Sequence, residues 1–154
     1  MRCIGVFPIS LNQLLREVIA TYPQLSANGA VIAVEGALPT VLANATSLSQ
    51  CISNILCNAV KFVSPGTTPR VRVYTEEIED NIRLWIEDNG IGIAPSDQER
   101  IWKVFTRVRS SDQYEGTGIG LAIVRKAVER MNGAAGMDST PGQGTTFWIE
   151  LASA

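Results

Sequence analysis

Apolar residues recur every three or four positions in several stretches of the chain, as they do on one face of a helix. Ser10 and Gln13 form a capping box ahead of the first stretch, and Gly133 follows the last one. The pattern predicts helices from Leu11 to about Tyr22, from Leu48 to before Ser64, from a second capping box at Ser96 and Glu99 through Ile101 and Trp102 to Phe105, and from Leu121 to Met131.

Other stretches alternate apolar and polar residues, as half-buried strands do. The predicted strands are Val31 to Val34 and Thr40 to Leu42 around a turn at Gly36 to Pro39, Val71 to Val73 and Ile82 to Ile86 around an acidic turn, and Gly136 to Ser139 and Thr146 to Leu151 around Pro141 to Gly144. Three long helices and about five strands predict an α/β (α+β) two-layer sandwich. Its mixed, mostly antiparallel sheet is covered by helices on one face.

Composition and charge narrow the classes of function. Residues 1–154 fit one domain, and a net charge of −2 without a basic block gives no sign of contact with nucleic acid or an anionic membrane. No apolar stretch reaches the roughly 18 residues that span a bilayer, so we expect a cytoplasmic domain, with any membrane anchor outside this chain. Three cysteines without CxxC spacing indicate reduced thiols, and the absence of histidine excludes histidine-based catalysis within this chain.

A polar stripe runs along the predicted second helix, opposite its apolar face. Gln50, Asn54, Asn58 and Lys61 are spaced four, four and three residues apart. A solvated helix face explains such a stripe without any function. Asparagine is a weak helix former, however, and two asparagines at i and i+4 indicate a use for their carboxamide oxygens.

Two glycine-containing motifs follow the second helix. Asp88-Asn89-Gly90-Ile91-Gly92-Ile93 comes directly after a strand, which places a carboxylate beside a loop whose backbone can approach a ligand closely. Gly116-Thr117-Gly118-Ile119-Gly120 leads into the last helix, where backbone N–H groups and the positive helix end attract phosphates. Each motif alone is also compatible with an ordinary loop. The polar segment from Arg109 to Glu115 looks like a mobile lid.

Four segments in this order resemble the asparagine, first glycine, phenylalanine and second glycine boxes of sensor histidine kinases. They are Asn54 to Phe62, Asp88 to Gly92, Ile101 to Phe105, and Gly116 to Leu121. In that family the boxes belong to a catalytic domain of the superfamily shared with gyrase B, MutL and heat-shock chaperone ATPases. The resemblance extends from about Leu11 to Leu151 and implies a Bergerat-type fold that binds ATP and Mg²⁺.

The resemblance also implies roles for individual residues. Asn58 would ligate Mg²⁺ through its amide oxygen, Lys61 would contact a phosphate, and Asp88 would accept the exocyclic amine of adenine, which favours ATP over GTP. Arg107 would contact a phosphate, although a surface arginine is the simpler explanation. The other nucleotide-binding positions would be Gly90, Gly92, Ile93, Phe105, Gly116, Thr117, Gly118, Ile119, Gly120, Leu121 and, beside Asp88, Thr145.

Two positions depart from the family pattern. Trp102 stands where phenylalanine is common, an exchange that keeps the packing apolar. Asn54 stands where gyrase-like relatives carry the glutamate that activates water. A neutral amide can orient water but cannot accept its proton, so we expect slow ATP hydrolysis and place Asn54 with Asn58 and Lys61 in the catalytic set.

These residues predict a protein-histidine kinase domain that transfers the γ-phosphate of ATP to a histidine on another segment. The resemblance implies two partners, a dimeric helical domain of the parent kinase that carries this histidine and a downstream response-regulator receiver. The alternative is a non-catalytic, ATP-responsive protein-binding module of the same fold. A gyrase-like ATPase is disfavoured by Asn54 and by the short chain.

Overall fold

The structure of the chain is a computed structural model that describes residues 5–102 and 120–154. Within these residues it contains three α-helices and seven strands. The helices are α1 (Leu11–Thr21), α2 (Ala45–Lys61) and α3 (Gly120–Arg130). The strands are β1 (Phe7–Ser10), β2 (Val31–Val34), β3 (Thr40–Ala43), β4 (Arg70–Ile78), β5 (Asn81–Asp88), β6 (Ala134–Ser139) and β7 (Thr145–Ala152).

Five strands form one mixed sheet in the order β2-β4-β5-β7-β6. Strand β2 pairs with β4 in parallel, and every other neighbour in this sheet is antiparallel. Strands β1 and β3 form a separate antiparallel pair. The predicted two-layer sandwich with a mostly antiparallel sheet is therefore confirmed, although the small second sheet was not predicted.

The hydrophobic core lies between the helices and one face of the five-stranded sheet. Alternate residues of the central strands are buried on this inner face, as the period of two requires: Val71, Val73, Ile82, Leu84, Ile86, Phe147, Ile149 and Leu151. The helices meet them with Leu11, Leu15, Val18, Leu48, Ile52, Ile55, Leu56, Val124 and Val128. No helix within the described residues is long and apolar enough to cross a bilayer.

The segment between β2 and β3 connects the two sheets and is not a hairpin turn. Both strands form where the sequence predicts them, but they do not pair with each other. Asn12 of α1 holds this segment in place, because its side-chain amide donates to Leu38 O at 3.3 Å and its Oδ1 accepts from Leu38 N–H at 3.2 Å. Tertiary contacts with α1 therefore decide the path of the chain here.

The helix ends agree with the sequence in part. Ser10 caps α1 as predicted, with its Oγ accepting from Gln13 N–H at 3.3 Å. The second capping box is wrong in the part of the chain that the structure describes: two short 3₁₀ turns form there, Pro95–Asp97 after Ala94, without a side-chain cap, and Arg100–Trp102. Phe105, where the predicted helix ends, lies outside the described residues. Helix α3 is closed by Asn132, whose φ of 63° is left-handed, and not by Gly133.

The outer face of the five-stranded sheet carries stacked aromatic and cationic side chains. The Arg83 guanidinium lies 4.0 Å from the ring centroid of Trp148 and 5.5 Å from that of Trp85. It also forms an ion pair with Glu150 at 2.8 Å. Gly136 makes room for this stack, since a Cβ atom there would overlap the Trp148 indole. Half-buried polar and aromatic groups thus cover the face that the helices leave open.

Candidate functional site

Three neighbouring strands exchange apolar for polar residues at the same end of the sheet. Asp88 ends the inward-facing series of β5, Thr145 begins that of β7, and Ser139 ends that of β6. The strand register places these residues side by side, because Ser139 pairs with Thr145 and the preceding residue of β5 pairs with Thr146. A row of polar groups therefore lies on the helix-covered face, where the core ends.

The Asp88 carboxylate is held by backbone donors from two segments. Its Oδ1 accepts from Gly90 N–H at 2.8 Å and from Thr145 N–H at 3.1 Å. Burial raises the pKa of Asp88 from 3.8 to about 6, an increase that these two hydrogen bonds oppose and the charge of Glu87 reinforces. An acceptor with fixed geometry and a high desolvation cost is suited to bind a donor group of a ligand.

The loop after β5 is docked against the C-terminal end of α2. Ile91 N–H donates to Phe62 O at 2.9 Å, and Phe62 N–H donates to Asn58 O at 3.0 Å. A Cβ atom at Gly90 would overlap Phe62 O, so only glycine permits this approach. The two sequence motifs, the polar stripe of α2 and the loop that begins at Asp88, therefore meet in the fold.

The same loop also contacts the turn between β6 and β7. Gly92 has a φ of +77°, and a Cβ atom there would overlap Thr140 O. Gly142 N–H donates to Ile91 O at 2.8 Å. Ser139 continues this junction, since its Oγ accepts from Ile93 N–H at 2.8 Å. Both glycines of the motif are thus needed for packing of the loop between α2 and the β6–β7 turn.

The polar stripe of α2 is not a fully solvated face. Gln50 at its start is exposed, but Asn54, Asn58 and Lys61 are half-buried. The Lys61 Nζ atom lies 5.2 Å from the centroid of the Phe62 ring, which places the cation at the helix end that contacts the loop. Partial burial of two amides and one cation beside the Asp88 loop favours a binding role over the solvated-face explanation.

Cysteines of α2 carry no unusual reactivity. Cys51 and Cys57 are free thiols in the described part of the chain. Burial raises the pKa of Cys51 to about 12, and burial also raises the pKa of Cys57, against weaker opposing effects of Gln24 and Lys61. Both thiols are therefore poor nucleophiles at neutral pH. Cys3 lies outside the described residues.

Several residues predicted for the site lie outside the described residues. They are Phe105, Arg107, Gly116, Thr117, Gly118 and Ile119. Gly120 is the first residue of α3, and the half-buried Leu121 packs against the core. Trp102 also packs as an apolar residue, with its ring edge-on to Phe147 at a centroid distance of 6.0 Å.

Two residues that hold the site together were not predicted from the sequence. Asn89 ties the loop to the start of β4, because its Oδ1 accepts from Arg70 N–H at 2.8 Å and its amide donates to Thr68 O at 3.0 Å. Ser139 joins the loop to β7. Its signal was present in the sequence: a serine follows Ala135 and Met137 at an inward-facing position of β6.

Comparison with known families gives a match over most of the chain. The family model of histidine kinase-, DNA gyrase B- and HSP90-like ATPases matches residues 43–154. This range includes α2, the Asp88 loop and the β6–β7 pair. It leaves out β1, α1, β2 and most of β3.

Individual relatives and solved structures extend the match toward the N-terminus. The phytochrome-like protein Cph1 of Synechocystis sp. is 34% identical over 142 residues, which are 92% of this chain and 19% of that protein. The mycobacterial sensor histidine kinase MprB superposes with a TM-score of 0.83 at 26% identity, covering 96% of this chain and 98% of that one. Full-length ShkA in complex with AMPPNP gives a TM-score of 0.80 at 35% identity, covering 98% and 32%. The chain thus spans about a fifth of its curated relative.

Proposed function

This chain belongs to the family of histidine kinase-, DNA gyrase B- and HSP90-like ATPases, and we propose that it is the ATP-binding catalytic domain of a two-component sensor histidine kinase. The observation that carries the proposal is the half-buried Asp88 carboxylate, held by two backbone N–H groups at the polar end of the inner sheet face. The solved structures that are similar to this chain include full-length ShkA in complex with AMPPNP.

Asp88 determines which base is bound. Two N–H donors fix its Oδ1, so the carboxylate stays an acceptor and orients its remaining lone pairs toward a ligand. Adenine offers an exocyclic amine to such an acceptor, whereas guanine offers a carbonyl oxygen at the same position, which the carboxylate repels. Gly90, Gly92 and Ile93 form the adjoining wall, and Thr145 supports the base beside Asp88.

The donor set of α2 fits a magnesium–nucleotide complex. Mg²⁺ prefers hard oxygen donors and takes few of them from protein when phosphates supply the others, so a single amide oxygen from Asn58 is sufficient. Bound Mg²⁺ would neutralise charge on the phosphates. Among the described residues, no group of three or more acidic, cysteine or histidine side chains competes as a metal site. Lys61, one turn beyond Asn58, contributes a cation toward the phosphates.

Asn54 favours phosphoryl transfer over hydrolysis. It lies one turn before Asn58 on the same half-buried stripe, where a carboxylate would be able to deprotonate water. An amide can orient an attacking group but cannot take its proton. An imidazole nitrogen is already a nucleophile at neutral pH, so positioning and charge neutralisation are enough for its phosphorylation.

The acceptor histidine lies on another segment of the parent protein, because this chain contains none. We place it on a dimeric helical domain of the parent kinase, with a response-regulator receiver as the next phosphoryl acceptor. The domain acts in the cytoplasm, and contact with nucleic acid or with a membrane is not part of its role. The size of the relatives is consistent with such additional domains, since this chain spans about a fifth of Cph1.

Labelled ATP tests the proposal directly. The chain is incubated with γ-labelled Mg-ATP, with and without the histidine-bearing domain of its parent protein. We expect acid-labile label on the helical domain only, and loss of transfer in the Asn58→Ala variant. Ser26→Ala, which removes an exposed hydroxyl in the 3₁₀ turn Pro23–Gly29, is the control and should transfer at the wild-type rate.

Other outcomes have defined meanings. Tight ATP binding without transfer to the domain would replace the kinase by the ATP-responsive binding module. Rapid hydrolysis by the chain alone would contradict the role given to Asn54 and indicate an ATPase. Absence of ATP binding would refute the assignment of the Asp88 site.

A further inference from the structure

The hydroxyl of Ser139 lies at the junction of the two segments that frame Asp88. Its Oγ accepts from Ile93 N–H at 2.8 Å, donates to Gly144 O at 2.9 Å and lies 2.8 Å from Thr145 Oγ1. We infer that Ser139 is a positioning residue of the adenine subsite, where its hydroxyl sets the orientation of Thr145 beside Asp88. This inference rests on the proposed function.

Counting protons defines what the network does. A serine hydroxyl has one proton and two lone pairs. The Ile93 N–H group can only donate and the Gly144 carbonyl can only accept, so the single Ser139 proton goes to Gly144 O. The hydrogen bond between the two hydroxyls must then use the proton of Thr145. Every donor and acceptor site of Ser139 is occupied.

The consequence for Thr145 is a fixed polarity. Because its proton points to Ser139, its Oγ1 offers only lone pairs to a ligand. Its backbone N–H is also committed, to Asp88 Oδ1 at 3.1 Å. Asp88 and Thr145 therefore both present acceptors to a ligand, which suits the amine edge of adenine and disfavours the carbonyl edge of guanine. Without the Ser139 hydroxyl, Thr145 could turn and donate instead.

A purely structural role explains the position less well. Ser139 continues the inward-facing series of Ala135 and Met137, and an apolar residue there would extend the core. A serine is instead placed where β6 pairs with the residue that holds Asp88. If its hydroxyl only stabilised the β6–β7 pair, its removal would lower the affinity for every nucleotide equally.

The test uses Ser139→Ala, Ser139→Thr and a matched control, Ser26→Ala, which removes an exposed hydroxyl that donates to Pro23 O at 3.1 Å. Calorimetric titrations with Mg-ATP, Mg-ADP and Mg-GTP are compared with thermal unfolding in the absence of nucleotide. Ser139→Ala should lower the affinities for ATP and ADP by the same factor, roughly five- to tenfold, as expected for one lost hydrogen bond. The preference for ATP over GTP should shrink, and Ser139→Thr should restore it.

Equal losses for ATP and GTP, or wild-type affinity in a folded Ser139→Ala protein, would overturn the positioning role. If Ser139→Ala does not fold, Thr145→Ser and Thr145→Val make the same comparison from the other end of the bond. The serine variant keeps the hydroxyl and should bind ATP more tightly than the valine variant, and equal affinities would reject the inference. Wild-type protein that binds no ATP would remove the proposed function as well.

Discussion

The affinity for Mg-ATP should depend on pH through Asp88. Burial raises the pKa of this carboxyl from 3.8 to about 6 in the nucleotide-free protein. The ionised form accepts a stronger, charge-assisted hydrogen bond from the adenine amine than the protonated form does. Binding therefore favours the ionised form, so affinity is highest well above pH 6 and falls as the pH drops through that value.

The size of the effect follows from the fraction of ionised Asp88. With a pKa of about 6, roughly nine tenths of the carboxyl groups are ionised at pH 7 and about one tenth at pH 5. The affinity for ATP should therefore fall about tenfold over this interval, which corresponds to about 1.4 kcal/mol. At pH 7.5, the Asp88→Asn variant should bind ATP roughly ten- to a hundredfold more weakly than wild type, because a charge-assisted hydrogen bond is lost.

Isothermal titration calorimetry between pH 5 and pH 8 measures this profile. The phosphates of ATP also titrate near pH 6, but they do so with every variant, and the difference between wild type and Asp88→Asn isolates the carboxyl. Glu87→Gln is the matched control, because this neighbouring carboxylate bonds Tyr74 and Arg72 on the outer face. It should keep the pH dependence, with a slightly lower midpoint.

A pH profile shared by wild type and Asp88→Asn would contradict the role of Asp88. If wild type and Asp88→Asn lose affinity in parallel between pH 7 and pH 5, the titrating group is not Asp88. If both bind ATP and GTP equally at pH 7.5, the carboxylate does not contact the base. Loss of the profile in Glu87→Gln would assign the effect to the outer face instead.

Two further predictions concern the outer face of the sheet and the loop that follows β5. Gly136→Ala should lower the free energy of unfolding by about 1 to 3 kcal/mol in urea denaturation, because the new Cβ overlaps the Trp148 indole, and the loss should disappear in a Trp148→Ala background. Asn89→Ala should cost about 1 to 2 kcal/mol of stability and weaken ATP binding, because the loop loses its two hydrogen bonds to residues 68 and 70. Asn89→Asp keeps the acceptor for Arg70 N–H and should be intermediate, and an unaltered Asn89→Ala protein would show that the loop is held by its glycines alone.

Periodicity predicted most elements because it reports burial. The apolar positions of α1, α2 and α3 and the alternating residues of β4, β5 and β7 are the ones found in the core. It missed β1 (Phe7–Ser10), whose four residues include Pro8 and show no alternation between buried and exposed positions. It also suggested a local turn between β2 and β3, since a sequence pattern contains no information on the parallel partner that β2 finds in β4.

The site was predictable where glycine and carboxylate patterns are local. Asp88, Gly90, Gly92 and Ile93 come from one motif, and the structure packs the loop that contains them between the end of α2 and the β6–β7 turn. Ser139 was not identified because its role depends on strand register, which sets it opposite Thr145. Asn89 was not identified because a polar residue in an exposed loop has no distinguishing pattern until the chain positions of its backbone partners are known.

Ionised Asp88 lowers the stability of the folded protein at neutral pH. A carboxyl whose pKa is higher in the folded than in the unfolded chain contributes stability that is present below pH 4 and lost as the pH rises through about 6. At about 1.4 kcal/mol per pH unit, the difference between 3.8 and about 6 corresponds to at most about 3 kcal/mol at neutral pH. No cation in the described residues lowers the pKa of Asp88. A ligand at a hundred times its Kd contributes about 2.7 kcal/mol to the folded state, so bound nucleotide offsets a cost of this size. A requirement for folding alone does not account for this cost, whereas the proposed nucleotide binding at Asp88 does.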